Sequence, residues 1–104
     1  MVPDLRPTRS GTIIGRDSTP LFWQAWEAPS ARICIAVAHG LGEHSGRYRR
    51  LAAAMVQRGI SVFAVDLRGM GRSPGQRGYV PSWGSWVGDF TALYELAQLA
   101  APKA

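Results

Sequence analysis

The apolar residues of the chain follow two different spacings, and the switches between them mark its elements. Ile33 to Ala38 is apolar throughout and stops abruptly at His39-Gly40. Such an unbroken run predicts a strand buried on both faces. Ile60 to Val65 is a second β-rich run, ending in Asp66. Between them Tyr48, Leu51, Ala52, Met55 and Val56 recur at i, i+3, i+4, i+7 and i+8, which predicts a helix over Gly46 to Arg58. Ser45 is its predicted N-cap and Gly59 its stop. Strand, helix and strand of these lengths predict a βαβ unit with a right-handed crossover.

Upstream, Thr12–Gly15 and the aromatic-rich stretch Leu21 to Ala28 predict two strands. The turn cluster Arg16-Asp17-Ser18-Thr19-Pro20 joins them as a hairpin. Downstream, residues 67–81 are rich in Gly, Arg and Pro and predict a loop. A second helix is predicted from Ser82 to Ala100, with a stripe of Trp83, Trp86, Val87, Phe90, Leu93, Tyr94 and Ala97, and Pro102 ends it. The fold class read from this pattern is α/β. Residues 1–11 are expected to be an irregular lead-in, and 12–104 an incomplete α/β domain lacking the strand that would follow the second helix.

Length and composition change this picture little. A chain of 104 residues has room for one small domain. Hydrophobic content of 46% with four Trp predicts a packed body and not a disordered tail. The net charge is +5, yet the eleven Arg are scattered, and only Arg47, Arg49 and Arg50 cluster, on a predicted solvated helix face. No nucleic-acid partner is expected on that basis. Cys34, the one cysteine, lies inside a strand run and is expected to act as a small inert hydrophobe. There is no signal-like h-region, and no run approaches the ~18 apolar residues of a membrane span, so a cytoplasmic setting is expected.

The candidate chemistry lies where the strand runs end. Open α/β sheets place their ligands beyond the carboxyl ends of strands, and a free backbone N–H at such a turn can stabilise an oxyanion. His39-Gly40-Leu41-Gly42-Glu43-His44-Ser45-Gly46-Arg47-Tyr48 resembles the oxyanion loop of monoacylglycerol lipases and bacterial lysophospholipases. These form a serine aminopeptidase-like branch of the α/β-hydrolase superfamily. Asp66-Leu67-Arg68-Gly69-Met70-Gly71-Arg72-Ser73-Pro74-Gly75 resembles the loop after the fourth strand of the same family. The resemblance covers roughly residues 12 to 100. Met70 departs from it, because a His is usual between the two glycines.

The resemblance implies the N-terminal part of an α/β-hydrolase fold: a hairpin, a βαβ unit and a further helix in a mostly parallel sheet. It implies a serine hydrolase acting on a small-molecule lipid ester such as monoacylglycerol or lysophospholipid, with no cofactor and no metal. Leu41 matches the position whose backbone N–H forms half the oxyanion hole, with His39, Gly40 and Gly42 shaping the loop. Asp66, Arg68, Gly69, Gly71 and Ser73 match the structural loop after the fourth strand. The resemblance also places Ile33 to Ala38 beside a missing fifth strand, which would leave an edge open to self-association.

A nucleophile is not found. Gly71-Arg72-Ser73-Pro74-Gly75 satisfies G-x-S-x-G, but the residue after the serine must donate its N–H to the oxyanion, and Pro74 has none. Ser73 is expected to brace a turn. Ser45 and Ser85 lack elbow context. Glu43-His44 imitates an acid–base pair, but His44 is expected to stabilise the loop, and Asp66 to accept hydrogen bonds from the turn after it. No His/Cys cluster has metal-ligand spacing. With no nucleophile or triad, the chain alone is expected to be inactive. Two other readings stay open. Gly40 to Ser45 followed by Asp66 imitates a dinucleotide-binding βαβ unit, although Ser45 stands where the third glycine belongs. A non-catalytic α/β binding module is the other.

Overall fold

A computed structural model of the chain describes residues 6–40 and 43–104. Among these residues four strands form one sheet: β1 (Arg9–Ile14), β2 (Pro20–Trp26), β3 (Ile33–Ala38) and β4 (Ile60–Val65), in the spatial order β1-β2-β4-β3. A 3₁₀ turn over Ser45–Tyr48 leads into helix α1 (Arg49–Gln57), and helix α2 (Trp83–Ala100) closes the described fold. The predicted hairpin forms, with Arg9 opposite Ala25 and Ile14 opposite Pro20. Its first strand begins at Arg9, inside the stretch expected to be irregular, because Arg9 and Thr8 both bond Glu27 across the hairpin. The predicted βαβ unit also forms: β3 and β4 pair in parallel, with Ile33 opposite Ile60 and Ala38 opposite Val65. β2 and β4 join the two units antiparallel, with Trp23 opposite Val65.

Strand periodicity divides the core between the two faces of the sheet. Leu21, Trp23 and Ala25 of β2 and Phe63 and Val65 of β4 meet Leu93 and Ala97 of α2. The Trp23 and Phe63 rings stack with centroids 6.1 Å apart. Val62, Ala64 and Trp26 face the other way and meet Ala52 of α1, with Met55 and Val56 at the margin. Phe63 is wholly buried, a contribution of about 1.5–3 kcal/mol relative to an exposed ring.

Three expectations change. β3 is the outer strand among those described, so its apolar run is half-buried rather than covered on both faces. Ser45 does not cap a helix. Its N–H and hydroxyl are taken by Asp66 and Gln24, and the chain there tightens into the 3₁₀ turn, delaying α1 to Arg49. The stripe of α2 is only partly packed: Leu93 and Ala97 are buried, whereas Trp83, Val87 and Tyr94 are exposed. Gly59 ends α1 as predicted, with φ of +78°, a conformation that costs glycine little. No helix among the described residues is long and apolar enough to cross a membrane.

Candidate functional site

Parallel pairing brings the carboxyl ends of β3 and β4 side by side, so the loops beginning at His39 and Asp66 leave the sheet together. Hydrogen bonds lock each loop to the other. The His39 ring is buried, and its Nε2 accepts the Leu67 N–H at 3.0 Å. Nδ1 therefore carries the ring proton and donates it to the Gly40 carbonyl at 2.9 Å, which fixes the tautomer. Asp66, also buried, accepts the Ser45 N–H at 2.6 Å and the Arg72 N–H at 2.9 Å. It thus receives one bond from the turn after it, as expected, and a second from the end of the first loop.

Leu41 and Gly42, the expected oxyanion donor and its neighbour, lie outside the described residues. The residues on either side of them are tied together. The Gly40 N–H donates to Glu43 Oε1 at 2.8 Å, and the Glu43 N–H donates to the Gly40 carbonyl at 3.0 Å. Tyr48 donates its hydroxyl to the same carboxylate at 3.2 Å, and Arg47 pairs with it at 2.7 Å. The Gly40 N–H above all, with Tyr48 and Arg47, holds the Glu43 carboxyl below the usual carboxylate range. The role expected of His44 therefore belongs to Glu43. The His44 side chain is exposed and makes no hydrogen bond among the described residues, contributing only its carbonyl, which accepts the Arg47 N–H.

The second loop is folded on itself by its glycines and arginines. Gly69 and Gly71 have φ of +80° and +52°. A side chain at Gly69 would come within 2.6 Å of the Gln76 carbonyl, and one at Gly71 would collide with the Asp66 carboxylate. Ser73 is buried; its hydroxyl donates to the Asp66 carbonyl and accepts the Phe22 N–H at 2.9 Å. It ties the loop to β2. Both sides of the hydroxyl are engaged, and the residue does not face the cleft described below.

Arg68 reaches two carboxylates. It meets Asp89 of α2 at 2.6 Å and Asp17 of the hairpin turn at 2.9 Å, and Asp89 also accepts the Arg68 N–H. Asp89 is wholly buried and the Arg68 side chain is 11% exposed. The Asp89 and Asp17 partners raise the guanidinium pKa further, and Arg68 with Thr19 holds the Asp17 carboxyl well below its usual range. Asp89 is the residue that sequence reasoning missed. Its signal was present: it lies three residues after Trp86 and four before Leu93, on a face that is otherwise apolar.

Beside His39 and Gly40 an apolar cleft of about 530 Å³ opens, walled by Leu67, Met70, Trp83, Trp86 and Phe90. The Trp86 indole N–H is satisfied by the Arg68 carbonyl at 3.1 Å, which leaves its ring to line the wall. Met70 is buried at this wall. Among the described residues no group of His, Cys, Asp and Glu is arranged to hold a metal. The dinucleotide reading fits this geometry poorly. Asp66 is occupied by two backbone N–H groups, and β4 is flanked by an antiparallel hairpin.

The arrangement has close counterparts. The family model "Serine aminopeptidase, S33" matches residues 29–104. The monoacylglycerol lipase of Mycolicibacterium smegmatis is 40% identical over 98 residues, which cover 93% of this chain and 34% of that protein. Protein K6 of Vaccinia virus is 36% identical over 74 residues, covering 71% of this chain and 89% of K6. The chain superposes on monoglyceride lipase from Saccharomyces cerevisiae with a TM-score of 0.72 and 21% identity, covering 98% of this chain and 33% of that one. It spans 10%, 14% and 34% of three of the curated relatives it matches. Fold, paired loops and sequence agree: the chain belongs to the serine aminopeptidase S33 family of α/β hydrolases, on its monoglyceride-lipase-like branch.

Proposed function

We propose that this chain supplies the oxyanion-loop part of a serine ester hydrolase that acts on monoacylglycerols or lysophospholipids. The Leu41 N–H donates to the oxyanion of the tetrahedral intermediate, and a serine, a histidine and an aspartate from outside these 104 residues carry the attack and proton transfer. One observation supports this most. The described residues on either side of Leu41 and Gly42 are anchored, at His39–Leu67 and at Ser45–Asp66, and Gly40 lines an apolar cleft suited to an acyl chain. A donor that must meet developing charge without reorganising needs such a frame.

The test is a chimera of residues 1–104 with the remainder of the M. smegmatis monoacylglycerol lipase. We expect it to hydrolyse monoacylglycerol or lysophospholipid. In a folded Leu41→Pro variant kcat should fall by about 10²–10³, the loss seen when one oxyanion donor is removed elsewhere. A folded chimera without turnover, or an unchanged kcat in the variant, overturns the reading.

Support for a second element, pairing through β3, comes from its place as outer strand and from the absence of Lys or Pro within it. The 104-residue chain alone is then expected to self-associate. A monodisperse monomer in analytical ultracentrifugation would refute this.

A further inference from the structure

The apolar cleft is not the only one beside the paired loops. A second cleft, of about 560 Å³, lies on the α1 face of the sheet, lined in part by Phe22, Gln24, His44, Arg49, Asp66 and Arg72. Exposed arginines supply charge at its wall. Arg9, Arg16, Arg47 and Arg68 each have a carboxylate partner. Arg49 and Arg72 have none among the described residues, and both line this cleft. The Arg72 guanidinium is seated over the Phe22 ring at 4.9 Å, which orients it without consuming its donors. Its backbone N–H is bound to Asp66, so the root of the side chain is fixed as well. Arg6 stands at the rim.

Asp66 is the one carboxylate among the described lining residues. It is 1% exposed, and its two oxygens are taken by the N–H groups of Ser45 and Arg72. Its charge lies behind the wall, whereas Arg49 and Arg72 are exposed residues. Gln24, held by its Nε2 donation to Ser45 Oγ at 2.7 Å, also lines the cleft.

We propose that this cleft is an anion site for a phosphate group, held by the guanidinium forks of Arg49 and Arg72. Two planar forks fit the tetrahedral oxygens of a phosphate and bond them with charge assistance. The cleft lies on the α1 face of the sheet, whereas the Trp-walled cleft lies on the α2 face. The phosphate can be free, as in inorganic phosphate or a small phosphomonoester, or it can be a lipid headgroup.

The test uses the 104-residue chain and three probes: inorganic phosphate, glycerol 3-phosphate, and phosphatidylcholine vesicles with or without phosphatidic acid. Binding is read by calorimetry for the soluble probes and by co-sedimentation for the vesicles. Arg49→Ala and Arg72→Ala should each weaken binding roughly tenfold, as loss of a charge-assisted contact does. Arg50→Ala, an equal loss of charge outside the cleft, should leave binding unchanged. Phosphate should also protect Arg49 and Arg72, and not Arg50, from phenylglyoxal, a readout that holds if the chain self-associates. Binding of the soluble probes assigns a free phosphate. Binding of phosphatidic acid vesicles alone, lost in both variants, assigns a headgroup. No binding of any probe, or equal loss with Arg50→Ala, overturns the site.

Discussion

The loop from Asp66 to Tyr79 and helix α2 meet at Arg68–Asp89, yet they are held by opposite means. The loop is poor in apolar residues and is fixed by polar contacts: Ser73 to β2, Asp66 to Ser45, and the Gly69 carbonyl to the Gly78 N–H at 2.9 Å. Helix α2 is apolar along its length but buries only part of its stripe, and Trp83 remains 76% exposed. Apolar content therefore does not predict which region is fixed. A buried hydrogen-bonded group is costly to leave unpaired, so a few such groups fix a loop that has little apolar surface to bury.

Substitutions can break this comparison, and the largest effect is expected at the junction. Asp89→Ala would leave Arg68 beside a void with the half-exposed Asp17 as its remaining carboxylate partner, and removing one partner of a buried pair costs up to about 3–5 kcal/mol. Urea denaturation followed by circular dichroism should show most of a small domain's stability gone. A loss under about 1 kcal/mol would mean the pair is effectively solvated.

Next are the glycines. Gly69→Ala adds a collision with two backbone carbonyls to left-handed strain of about 1–3 kcal/mol. Gly59→Ala meets open space at a similar φ and should cost only ~1 kcal/mol. Equal costs would show that the loop yields to the new side chain. Ser73→Ala leaves the Phe22 N–H without its acceptor, an expected loss of about 1–3 kcal/mol. Treated with a fluorophosphonate, the unmodified chain should show no adduct at Ser73; a stoichiometric one would make it a nucleophile.

That contrast also explains what was legible in the sequence. The runs at Ile33 and Ile60 carry their own period and apolarity, and both strands appear at the predicted residues. The hairpin was visible in its turn cluster, and the glycine-rich loops in their composition. The ties between loops were hidden, because each joins residues far apart in the chain: Ser45 to Asp66, Arg68 to Asp17, Phe22 to Ser73. No local pattern encodes such a pair. Ser45 read as a cap because a cap is the local use of a serine before a helix. Its actual partner, Gln24, lies on another strand.

Smaller effects sharpen the comparison further. Asp17, Glu27 and Glu43 all titrate below their usual range in the folded chain, through Arg68, Arg9 and the Gly40 N–H respectively. The folded chain thus binds fewer protons than the unfolded one, and stability rises with pH through the carboxylate range. It should be fully present above about pH 5 and fall as these groups protonate on acidification. Asp17→Asn should flatten the acid limb of a plot of urea midpoint against pH. The smallest change is expected on α2, where Trp83→Ser should alter stability by within about 0.5 kcal/mol. A larger loss would show that the exposed stripe is packed in solution.

The antiparallel seam between β2 and β4 has a kinetic consequence. The hairpin and the β3-α1-β4 unit are each built from contacts between chain neighbours, whereas the seam sets Trp23 opposite Val65. Closing it spans the longest stretch of chain of any strand pairing in the sheet, and loop-closure entropy must be met before its contacts form. The bonds from the Asp66 N–H to the Phe22 carbonyl and from the Phe22 N–H to Ser73 extend this seam past the strand end. The contacts that shape the second loop are therefore also those that join two locally folding halves.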